Sequence, residues 1–448
     1  MATGTSSVTG SKSPQAPGAW PVIGHIPSLV RNPLRFVTRL NRYGDVLTLR
    51  LGMLPVHLVT HPKLIHQVLV ESDRRIERGR LVEKSTPYLG KGLITSSGDH
   101  QRQRRMLQPA FHQEKITSYT NTLVKSAQAA ADSWSEGHVV RIDRAMNDLS
   151  LDMLTNALFG ASFDTQAAQQ FQQGLEIMFG GIVRRTILPD WWSALPTPGN
   201  RRFTRSIGTI HRIVDDTIAH HRNHQDGNSL VSMLLAARDD DGNTLSNREI
   251  RDQVVTFAMA GVETTGATLA WALHLLGQDP DIDRRLHAEL DEVLHGRPPR
   301  FEDLSALPFT RRVVRETLRL YPPWLLSRRT LAPVRIGTAE VPAGAEIGCS
   351  IYAMHRDPRW YPDPERFDPD RWLPERSHGR AKETYAPFGT GARKCIGDRF
   401  ALTEVTVALA VLCQRWRLTP VPGVRVREVT RGDVHPSKQP MRVEPRTS

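Results

Sequence analysis

The stretch FGTGARKCIGDRFA, residues 388–401, places a cysteine between a glycine-rich cationic segment and the start of an apolar helical pattern. Glycines let a backbone turn tightly and approach a flat partner closely. Arg393 and Lys394 precede Cys395, and a thiolate is favoured beside cations and at the N-terminus of a helix. We therefore expect Cys395 to be a metal ligand or a nucleophile. A dinucleotide-binding loop is not expected, because Lys394 replaces its last glycine.

The composition indicates a globular protein without a membrane anchor. Hydrophobic residues make up 39% of the 448 residues, and no apolar run approaches the roughly 20 residues that a membrane span requires. Cys349, Cys395 and Cys413 show no CxxC spacing, which argues against a disulfide framework and a structural zinc site and favours the cytoplasm. The net charge of +12 is spread along the chain, so nucleic-acid binding is not expected.

Helical periodicity dominates the chain, for example in NTLVKSAQAAADSW, HRIVDDTIAHH and EVTVALAVLCQRW. Alternating runs DVLTLRLG and VHLVTH, residues 45–52 and 56–61, predict a small hairpin. The fold class is therefore predicted to be mainly α with minor β. Because the chain shows no repeat and no long linker, we expect a disordered N-terminal tail over residues 1–14 and a single domain over residues 15–448.

The longest predicted helix runs from about Ser246 to Gly277. Ser246 and Glu249 form a capping box, and Pro280 follows the stop. Its middle, AGVETTGA at residues 260–267, contains two glycines, each costing about 1 kcal/mol relative to alanine. We interpret this as a weakened helix, distorted at Gly261, whose Glu263 and Thr264 face a buried polar cavity.

The cysteine loop resembles the haem-ligand loop of the cytochrome P-450 family, F-x-x-G-x-x-x-C-x-G, through Phe388, Gly391, Cys395 and Gly397. Three further motifs of that family follow its order along the chain: AGVETT at 260–265, ETLR at 316–319 and PERF at 364–367. The resemblance covers almost the whole chain. It implies a triangular helical domain with small β-sheets and a long central helix over the haem.

The resemblance also implies the cofactor, haem b with a cysteinate axial ligand supplied by Cys395. The segment GDHQRQRRMLQPAF at 98–111 resembles the family's third helix, with a histidine in place of the usual tryptophan. Arginines near the haem would neutralise its propionates, and the spacing favours Arg328 over Arg329. The implied cofactor-binding residues are His100, Arg104, Ala260, Arg328, Phe388, Arg393, Cys395 and Gly397.

Glu316 and Arg319 are predicted to pair with one another. They lie three residues apart on a helix that ends at Pro322 and Pro323, so their side chains share a face. In the family this pair is buried and, together with the arginine of the PERF motif, here Arg366, it braces the core behind the haem. We therefore expect these three residues to be structural.

The resemblance implies a monooxygenase that inserts one oxygen atom from O2 into a small or medium hydrophobic substrate, which we expect to be a terpene or another secondary metabolite. Glu263 and Thr264 would deliver protons. A mostly apolar pocket would include Thr256, Met259, Ala260, Trp324 and Leu325. Alternatives are a peroxide-driven peroxygenase of fatty acids and a non-enzymatic haem sensor or carrier.

Electrons would come from separate proteins, because the chain contains no flavin or iron–sulfur segment. The resemblance implies an acidic ferredoxin and an NAD(P)H-dependent ferredoxin reductase. Lys394, Arg399 and the QRQRR segment at 101–105 would supply positive charge for that docking. We expect a monomer.

Overall fold

The computed structural model describes residues 11–70, 75–160, 165–188, 190–223, 229–430 and 433–446. Contacts divide the chain into two compact units. The first unit comprises Met1–Glu83, Pro322–Arg366 and Gly379–Lys394. The second unit comprises Lys84–Tyr321, Phe367–His378 and Cys395–Ser448. Each unit has its own sheets and its own part of the motifs described above.

Helices supply most of the regular structure, which confirms the predicted mainly α class with minor β. In chain order the α-helices of the described part are α1 Ile26–Arg31, α2 Pro33–Leu40, α3 Pro62–Val70, α4 Arg80–Leu89, α5 His100–Leu107, α6 Gln113–Asp132, α7 Ile142–Phe159, α8 Thr165–Ile187, α9 Asp190–Ala194, α10 Pro198–Asn223, α11 Leu230–Ala236, α12 Asn247–Gln278, α13 Pro280–Leu294, α14 Pro308–Leu320, α15 Ile351–His355, α16 Pro374–Ser377 and α17 Asp398–Arg415.

Strands are short and belong to small sheets. They are β1 Ser11–Lys12, β2 Val46–Leu51, β3 Leu54–Val59, β4 Ile76–Arg78, β5 Val139–Arg141, β6 Leu326–Thr330, β7 Val334–Ile336, β8 Ala339–Val341, β9 Glu346–Cys349, β10 Trp416–Pro420, β11 Glu428–Thr430, β12 Val434–Pro436 and β13 Pro440–Pro445. Among the described helices, none combines the length and apolarity that crossing a bilayer requires.

The first unit is built on a five-stranded sheet with the order β2-β3-β9-β6-β4. Its β2 and β3 are antiparallel, with Val46 opposite Val59, so the predicted hairpin is confirmed. Val46, Val59 and Ile347 of its strands form an apolar core, and α3 packs Ile65, Val68 and Leu69 into the same core. This sheet fixes the register of β4 against β6, which carries part of the candidate site.

A second sheet of the first unit corrects the predicted length of the N-terminal tail. Its strand order is β1-β8-β7, and β1 pairs in parallel with β8, with Ser11 opposite Ala339. Residues 11–14, which we expected to be disordered, are thus part of the described fold, because the backbone groups of β1 find partners on a sheet edge. The first ten residues of the predicted tail lie outside the described residues.

The second unit is organised around α12. The capping box of Ser246 and Glu249 is present, and the helix continues for 32 residues, or roughly 48 Å at 1.5 Å per residue. Helix α12 continues through Gly261, and the expected distortion there stays a prediction. The glycines allow close packing of α7: a Cβ atom at Gly266 would overlap the Asn147 side chain, and one at Gly261 would lie 3.0 Å from Leu154.

Helix α17, which follows the cysteine loop, lies inside the second unit. Its residues from Glu404 to Cys413 are all buried, and a helix buried on every side belongs in a core. The remaining sheets of this unit are β10-β13-β5 and the pair β11-β12.

Candidate functional site

Cys395 differs from the other two cysteines in its accessibility. It is exposed, whereas Cys349 and Cys413 are buried. Burial raises the pKa of the Cys349 thiol to about 12 and also raises the pKa of Cys413. A thiolate is the form that binds metals, so Cys395 is the cysteine whose surroundings allow it to ligate an external group.

Tight backbone packing shapes the loop before Cys395 on the side of the first unit. Gly391 has φ +75° and opens a short 3₁₀ turn that ends at Arg393. A Cβ atom at Gly391 would overlap the backbone oxygen of Leu69 in α3, so only glycine fits there. Phe388 is half-buried. The loop is therefore built by its own unit.

At Gly397, which is the N-cap of α17, φ is ordinary and a Cβ atom would meet only Phe111, at 3.7 Å. The packing of the second unit does not explain this glycine. Its assignment to the cofactor stays a prediction.

A cluster of three arginines lies in the first unit: Arg78 is on the edge strand β4, Arg328 is on the neighbouring strand β6, and Arg393 is in the loop before Cys395. Arg78 in β4 stands directly opposite Arg328 in β6, and both are buried, at 7% and 9% exposure. Burial, followed by repulsion from Arg393 and Arg328, lowers the pKa of Arg78 to about 9. Like charges opposite one another destabilise a sheet. We call this set the arginine cluster; it fits a ligand that carries more than one anionic group.

The arginine cluster has the chemistry that binding of a haem requires. A haem carries two propionates, and arginine binds carboxylates through charge-assisted, often paired, hydrogen bonds. Two buried guanidinium groups, Arg78 and Arg328, and the half-buried Arg393 beside them match that donor requirement, so the group fits. The sequence analysis did not identify Arg78, because RRIERGR at 74–80 is typical of a solvated surface segment and carries no local signal of burial.

The neighbour of Arg328 has a different environment. Arg329 Nη2 lies 2.6 Å from Glu77 and Arg329 Nη1 lies 2.8 Å from Glu83. Hydrogen bonding to Glu77 raises the pKa of Arg329. Because Arg329 is neutralised within its own unit while Arg328 belongs to the arginine cluster, the geometry favours Arg328 for anion binding, as the spacing did.

Helix α5 carries His100 and Arg104 four residues apart, so both lie on one helical face. His100 is buried at 4% exposure and Arg104 is half-buried. Two other arginines of the QRQRR segment are paired: Arg102 with Glu249 at 3.1 Å and Arg105 with Asp240 at 3.0 Å. These acids reduce the positive charge that we expected this segment to offer a redox partner.

The middle of α12 is accessible, whereas most of the helix on both sides is buried. Met259, Glu263 and Thr264 are half-buried and Ala260 is exposed. The Thr264 hydroxyl donates a hydrogen bond to the Ala260 carbonyl oxygen at 2.7 Å, a side-chain contact that can loosen the backbone ladder without breaking the helix. The accessible segment coincides with the motif that the sequence singled out.

Glu263 has a neighbour that the sequence did not reveal. Its Oε2 atom lies 3.8 Å from His435 Nε2, and His435 is held in β12 opposite Val429. Because His435 lies 172 positions after Glu263 in the chain, no local sequence pattern indicates this contact. The tertiary structure thus adds a second titratable group beside the predicted acid.

A buried carboxyl connects three helices of the second unit. Glu404 in α17 accepts hydrogen bonds from Ser150 of α7 at 3.2 Å and from Thr265 of α12 at 3.3 Å. Burial raises the pKa of Glu404 to about 8, only partly opposed by these hydrogen bonds. Glu404 is therefore mostly protonated at pH 7 and joins α17 to the residue that follows Thr264.

The predicted pair of Glu316 and Arg319 lies in the second unit. Both side chains are fully buried and their closest ion-pair atoms are 2.8 Å apart. Arg371 Nε, 3.2 Å away, and the Trp372 indole, 2.9 Å away, also donate to the Glu316 carboxylate. The sequence analysis missed these last two residues. Arg366 is exposed in the first unit, and its predicted bracing role stays a prediction.

The predicted pocket residues have contrasting surroundings. Thr256 is 1% exposed, and its hydroxyl lies against the backbone of Gly92. Trp324 and Leu325 pack against the apolar core of the first unit. Of the predicted pocket residues on α12, Met259 and Ala260 are the accessible ones. The substrate roles of all five residues stay predictions.

Comparison with known proteins identifies close relatives over nearly the full length. The sequence profile described as Cytochrome P450 matches residues 14–442. Cyclooctatin synthase of Streptomyces melanosporofaciens is 42% identical, covering 92% of this chain and 91% of the relative. Cyclooctat-9-en-7-ol 5-monooxygenase of the same organism is 42% identical, covering 96% and 95%. Pentalenene oxygenase of Streptomyces avermitilis is 38% identical, covering 96% and 97%.

Solved structures agree with the sequence relatives. The crystal structure of the cytochrome P450DA haem domain matches with a TM-score of 0.88 at 27% sequence identity, and the match covers 98% of each chain. A likeness of this extent confirms the predicted fold.

Proposed function

The chain belongs to the cytochrome P450 family, and we propose on that premise that it oxygenates a cyclic terpene with electrons from a ferredoxin and its NAD(P)H-dependent reductase. The observation that carries the proposal is the exposed Cys395 in the haem-ligand loop, together with relatives named for oxygenation of such compounds. The alternative of a non-enzymatic sensor or carrier is not supported, because the family and these relatives are monooxygenases.

Haem b with a cysteinate axial ligand is the cofactor of this family and fold. When bound, it supplies activation of O2 for insertion of one oxygen atom, because the thiolate donates electron density to iron and favours O–O cleavage. Cys395 provides that thiolate in this proposal. Arg78, Arg328 and Arg393 would bind the propionates of this cofactor, with His100 and Arg104 of α5 as further donors.

The residues of α12 manage protons. Glu263 is accessible and titratable, so it can take a proton from solvent, and Thr264 can pass one on through its hydroxyl. His435 Nε2 lies 3.8 Å from the Glu263 carboxylate and attracts it when the imidazole is protonated. A peroxide-driven reaction needs no proton delivery of this kind. The presence of both Glu263 and Thr264 therefore favours a reaction driven by a reductase.

The substrate proposal rests on apolar surroundings and on the relatives. Met259 and Ala260 form the accessible apolar part of α12 next to Thr264, and an apolar surface positions a hydrocarbon mainly by excluding water. Pentalenene and cyclooctat-9-en-7-ol, named in two relatives, are cyclic and largely apolar. We assign the same substrate class to this chain.

The electron donor is an acidic ferredoxin in this proposal. Lys394 and Arg399 flank Cys395 in the sequence and both are exposed, so they can meet acidic side chains of a partner and speed its association. The chain's +12 net charge has the same sign. The setting we propose is the cytoplasm, where small ferredoxins are available.

A spectral titration tests the substrate class. Ferric protein is titrated with pentalenene, cyclooctat-9-en-7-ol, lauric acid and a macrolide, and displacement of water from iron is followed as a blue shift of the Soret band. We expect saturable shifts with the two terpenoids alone. Saturation by lauric acid or the macrolide without a terpenoid response would contradict the proposal.

Cys395→His tests the ligand assignment. The reduced protein with carbon monoxide should lose its red-shifted band, whereas the matched control Cys413→Ala should keep it. Turnover is then assayed with ferredoxin, reductase and NADPH, and separately with hydrogen peroxide alone. Product formed at equal rates from peroxide alone would refute the ferredoxin route and leave the haem assignment intact.

A further inference from the structure

The loop between α4 and α5, residues 90–99, is held on helix α12 by two consecutive side chains. The Asp252 carboxylate accepts a hydrogen bond from the Lys91 backbone N–H at 2.8 Å, and the Gln253 side-chain oxygen accepts one from the Leu93 backbone N–H at 2.9 Å. Asp252 and Gln253 are buried, at 5% and 0% exposure. Two neighbouring residues of one helix thus bind alternate amides of this loop, which we call the α4–α5 loop.

Helix α5 holds the same loop through a third buried side chain. Gln103 Nε2 donates a hydrogen bond to the Lys91 carbonyl oxygen at 3.0 Å, and Gln103 is buried. Within the loop, the Thr95 hydroxyl donates to the Gly90 carbonyl oxygen at 2.6 Å. Both backbone polar groups of Lys91 are therefore fixed, the N–H by α12 and the carbonyl by α5.

The close approach of the α4–α5 loop to α12 requires glycine at two positions. A Cβ atom at Gly90, where φ is +70°, would overlap the Asp252 carboxylate, and one at Gly92 would overlap the Thr256 hydroxyl. Any larger residue would push the loop away from the helix. The loop therefore covers Thr256, which explains why this predicted pocket residue is buried.

The contact between the α4–α5 loop and α12 ends just before the accessible part of that helix. Ala260 follows Thr256 by one turn, a rise of about 6 Å. Met259 and Ala260 are the accessible apolar segment of α12 to which the substrate is assigned above. Among the loop residues, Ile94 carries an exposed large apolar side chain, whereas its neighbour Leu93 is buried. A substrate on the accessible apolar segment thus borders a loop that offers it an apolar side chain.

We propose that Asp252 and Gln253 are positioning residues for substrate selectivity, because they set the position of Ile94 relative to the accessible apolar segment of α12. A loop held by hydrogen bonds to buried side chains keeps that position constant, so the loop is organised before the substrate binds. A fixed apolar wall admits some ring systems better than others through contacts of single methylene groups. The inference rests on the substrate surface proposed above, whereas the hydrogen bonds that hold the loop do not.

Amide hydrogen exchange of the full-length holoprotein tests how the loop is held. In Asp252→Ala the Lys91 amide should exchange at least about tenfold faster than in the parent, because a hydrogen bond to a charged acceptor is lost. The amides of α13 are the reference, since a general loss of stability would release them as well. Asp252→Asn keeps a side-chain oxygen for the Lys91 N–H and should restore its protection.

Gln253→Met makes the same test at the second contact and should release the Leu93 amide. It also decides the matter if Asp252→Ala does not fold. Exchange at Lys91 and Leu93 that follows the α13 amides in these variants would overturn the proposal, because the two side chains would then not hold the loop.

Selectivity is measured by Soret titration, as the ratio of the dissociation constants for pentalenene and cyclooctat-9-en-7-ol. Ile94→Ala should change this ratio about tenfold, because a methylene group in an apolar pocket contributes roughly that factor. Asp252→Ala should change the ratio in the same direction, and Asp252→Asn should keep the ratio of the parent. The control is Val139→Ala, which shortens an exposed apolar side chain of β5 in the same unit and should leave the ratio unchanged.

An unchanged ratio in Asp252→Ala with a released loop would make Asp252 a purely structural residue and overturn the proposal. If the parent binds neither terpenoid, the substrate class proposed above is wrong, and the ratio is measured with lauric acid and the macrolide instead. A change of that ratio in Ile94→Ala and Asp252→Ala would still support the positioning role, so the two failures are distinguishable.

Discussion

Two buried charged groups in this molecule are built on opposite principles. The Glu316 carboxylate in the second unit receives Arg319, Arg371 and the Trp372 indole, so its charge is compensated within the fold. The arginine cluster of the first unit brings Arg78 and Arg328 face to face across a sheet. A compensated buried charge costs little while all its partners are present, and the loss of one partner is strongly destabilising. Like charges held close together repel one another and favour the binding of an anion, which is why we propose the arginine cluster as an anion-binding site.

Removing the centre of the compensated network should have the largest effect. Glu316→Ala leaves Arg319 and Arg371 buried without their carboxylate, and loss of one partner of a buried pair costs about 3–5 kcal/mol. Urea unfolding measures the change. The exposed Glu375 of α16 provides the control, since Glu375→Ala should stay within about 0.5 kcal/mol. A loss below 1 kcal/mol for Glu316→Ala would show that the network is not compensated as described.

The buried carboxyl of Glu404, which has no ion-pair partner among the described residues, gives a third case to compare with the Glu316 network and the arginine cluster. The pKa of Glu404 rises from 4.5 in the unfolded chain to about 8 in the fold. Its stabilising contribution is therefore complete below pH 4.5 and is lost as the pH rises through 8. Glu404→Gln removes this dependence, so its stability relative to the parent should improve by at most about 1.4 kcal/mol per pH unit in that window.

Unfolding measured at pH 5, 6, 7 and 8 checks the Glu404 prediction. Glu404→Leu keeps the bulk of the side chain but loses the hydrogen bonds from Ser150 and Thr265. Comparing it with Glu404→Gln separates the effect of removing the titrating group from the effect of losing these hydrogen bonds. Parallel pH profiles for the parent and Glu404→Gln would mean that Glu404 does not titrate in this range.

The arginine cluster should respond in the opposite direction to the Glu316 network. Arg78→Met removes one of three repelling charges, so the apoprotein should gain about 1–2 kcal/mol. The holoprotein should release haem about tenfold faster, because a charge-assisted hydrogen bond is lost. Transfer of haem to an excess of apomyoglobin measures the release. A destabilised apoprotein with unchanged release would place Arg78 among structural residues.

The smallest effect is expected at Arg329, the residue next to Arg328. Arg329 pairs with Glu77 and Glu83 near the surface, and exposed ion pairs contribute about 0–1 kcal/mol. Arg329→Ala should therefore lower stability by less than about 1 kcal/mol and leave haem release unchanged, whereas Arg328→Ala should accelerate it. Acceleration by Arg329→Ala instead would reverse the choice between these two arginines.

Local sequence patterns predicted those features of the structure that depend on residues close together in the chain. The capping box at Ser246, the hairpin over 45–61 and the pairing of Glu316 with Arg319 depend on residues a few positions apart, and the structure has all of them. The packing role of Gly261 and Gly266 has a non-local cause. The cost of a glycine is visible in the sequence, but the helix that packs against it, α7, is known only from the fold.

The residues missed by the sequence analysis share a remote partner. Arg78 meets Arg328 across 250 positions, His435 meets Glu263, and Glu404 meets Thr265. Each looks like an ordinary charge in its own segment. Their surroundings, and hence their pKa values and binding capacity, depend on burial and on neighbours supplied by other elements.

The sequence by itself determined the family and the class of fold and predicted Cys395 as the thiolate ligand, because a cysteine loop with glycines at required positions and a periodic apolar pattern are short-range properties. Tertiary structure alone decided which cysteine is accessible, which arginine is compensated and where a carboxyl stays protonated. The physical reason is that accessibility and electrostatic energy are properties of the assembled surroundings, since the same side chain changes its charge and its contacts when water is exchanged for protein.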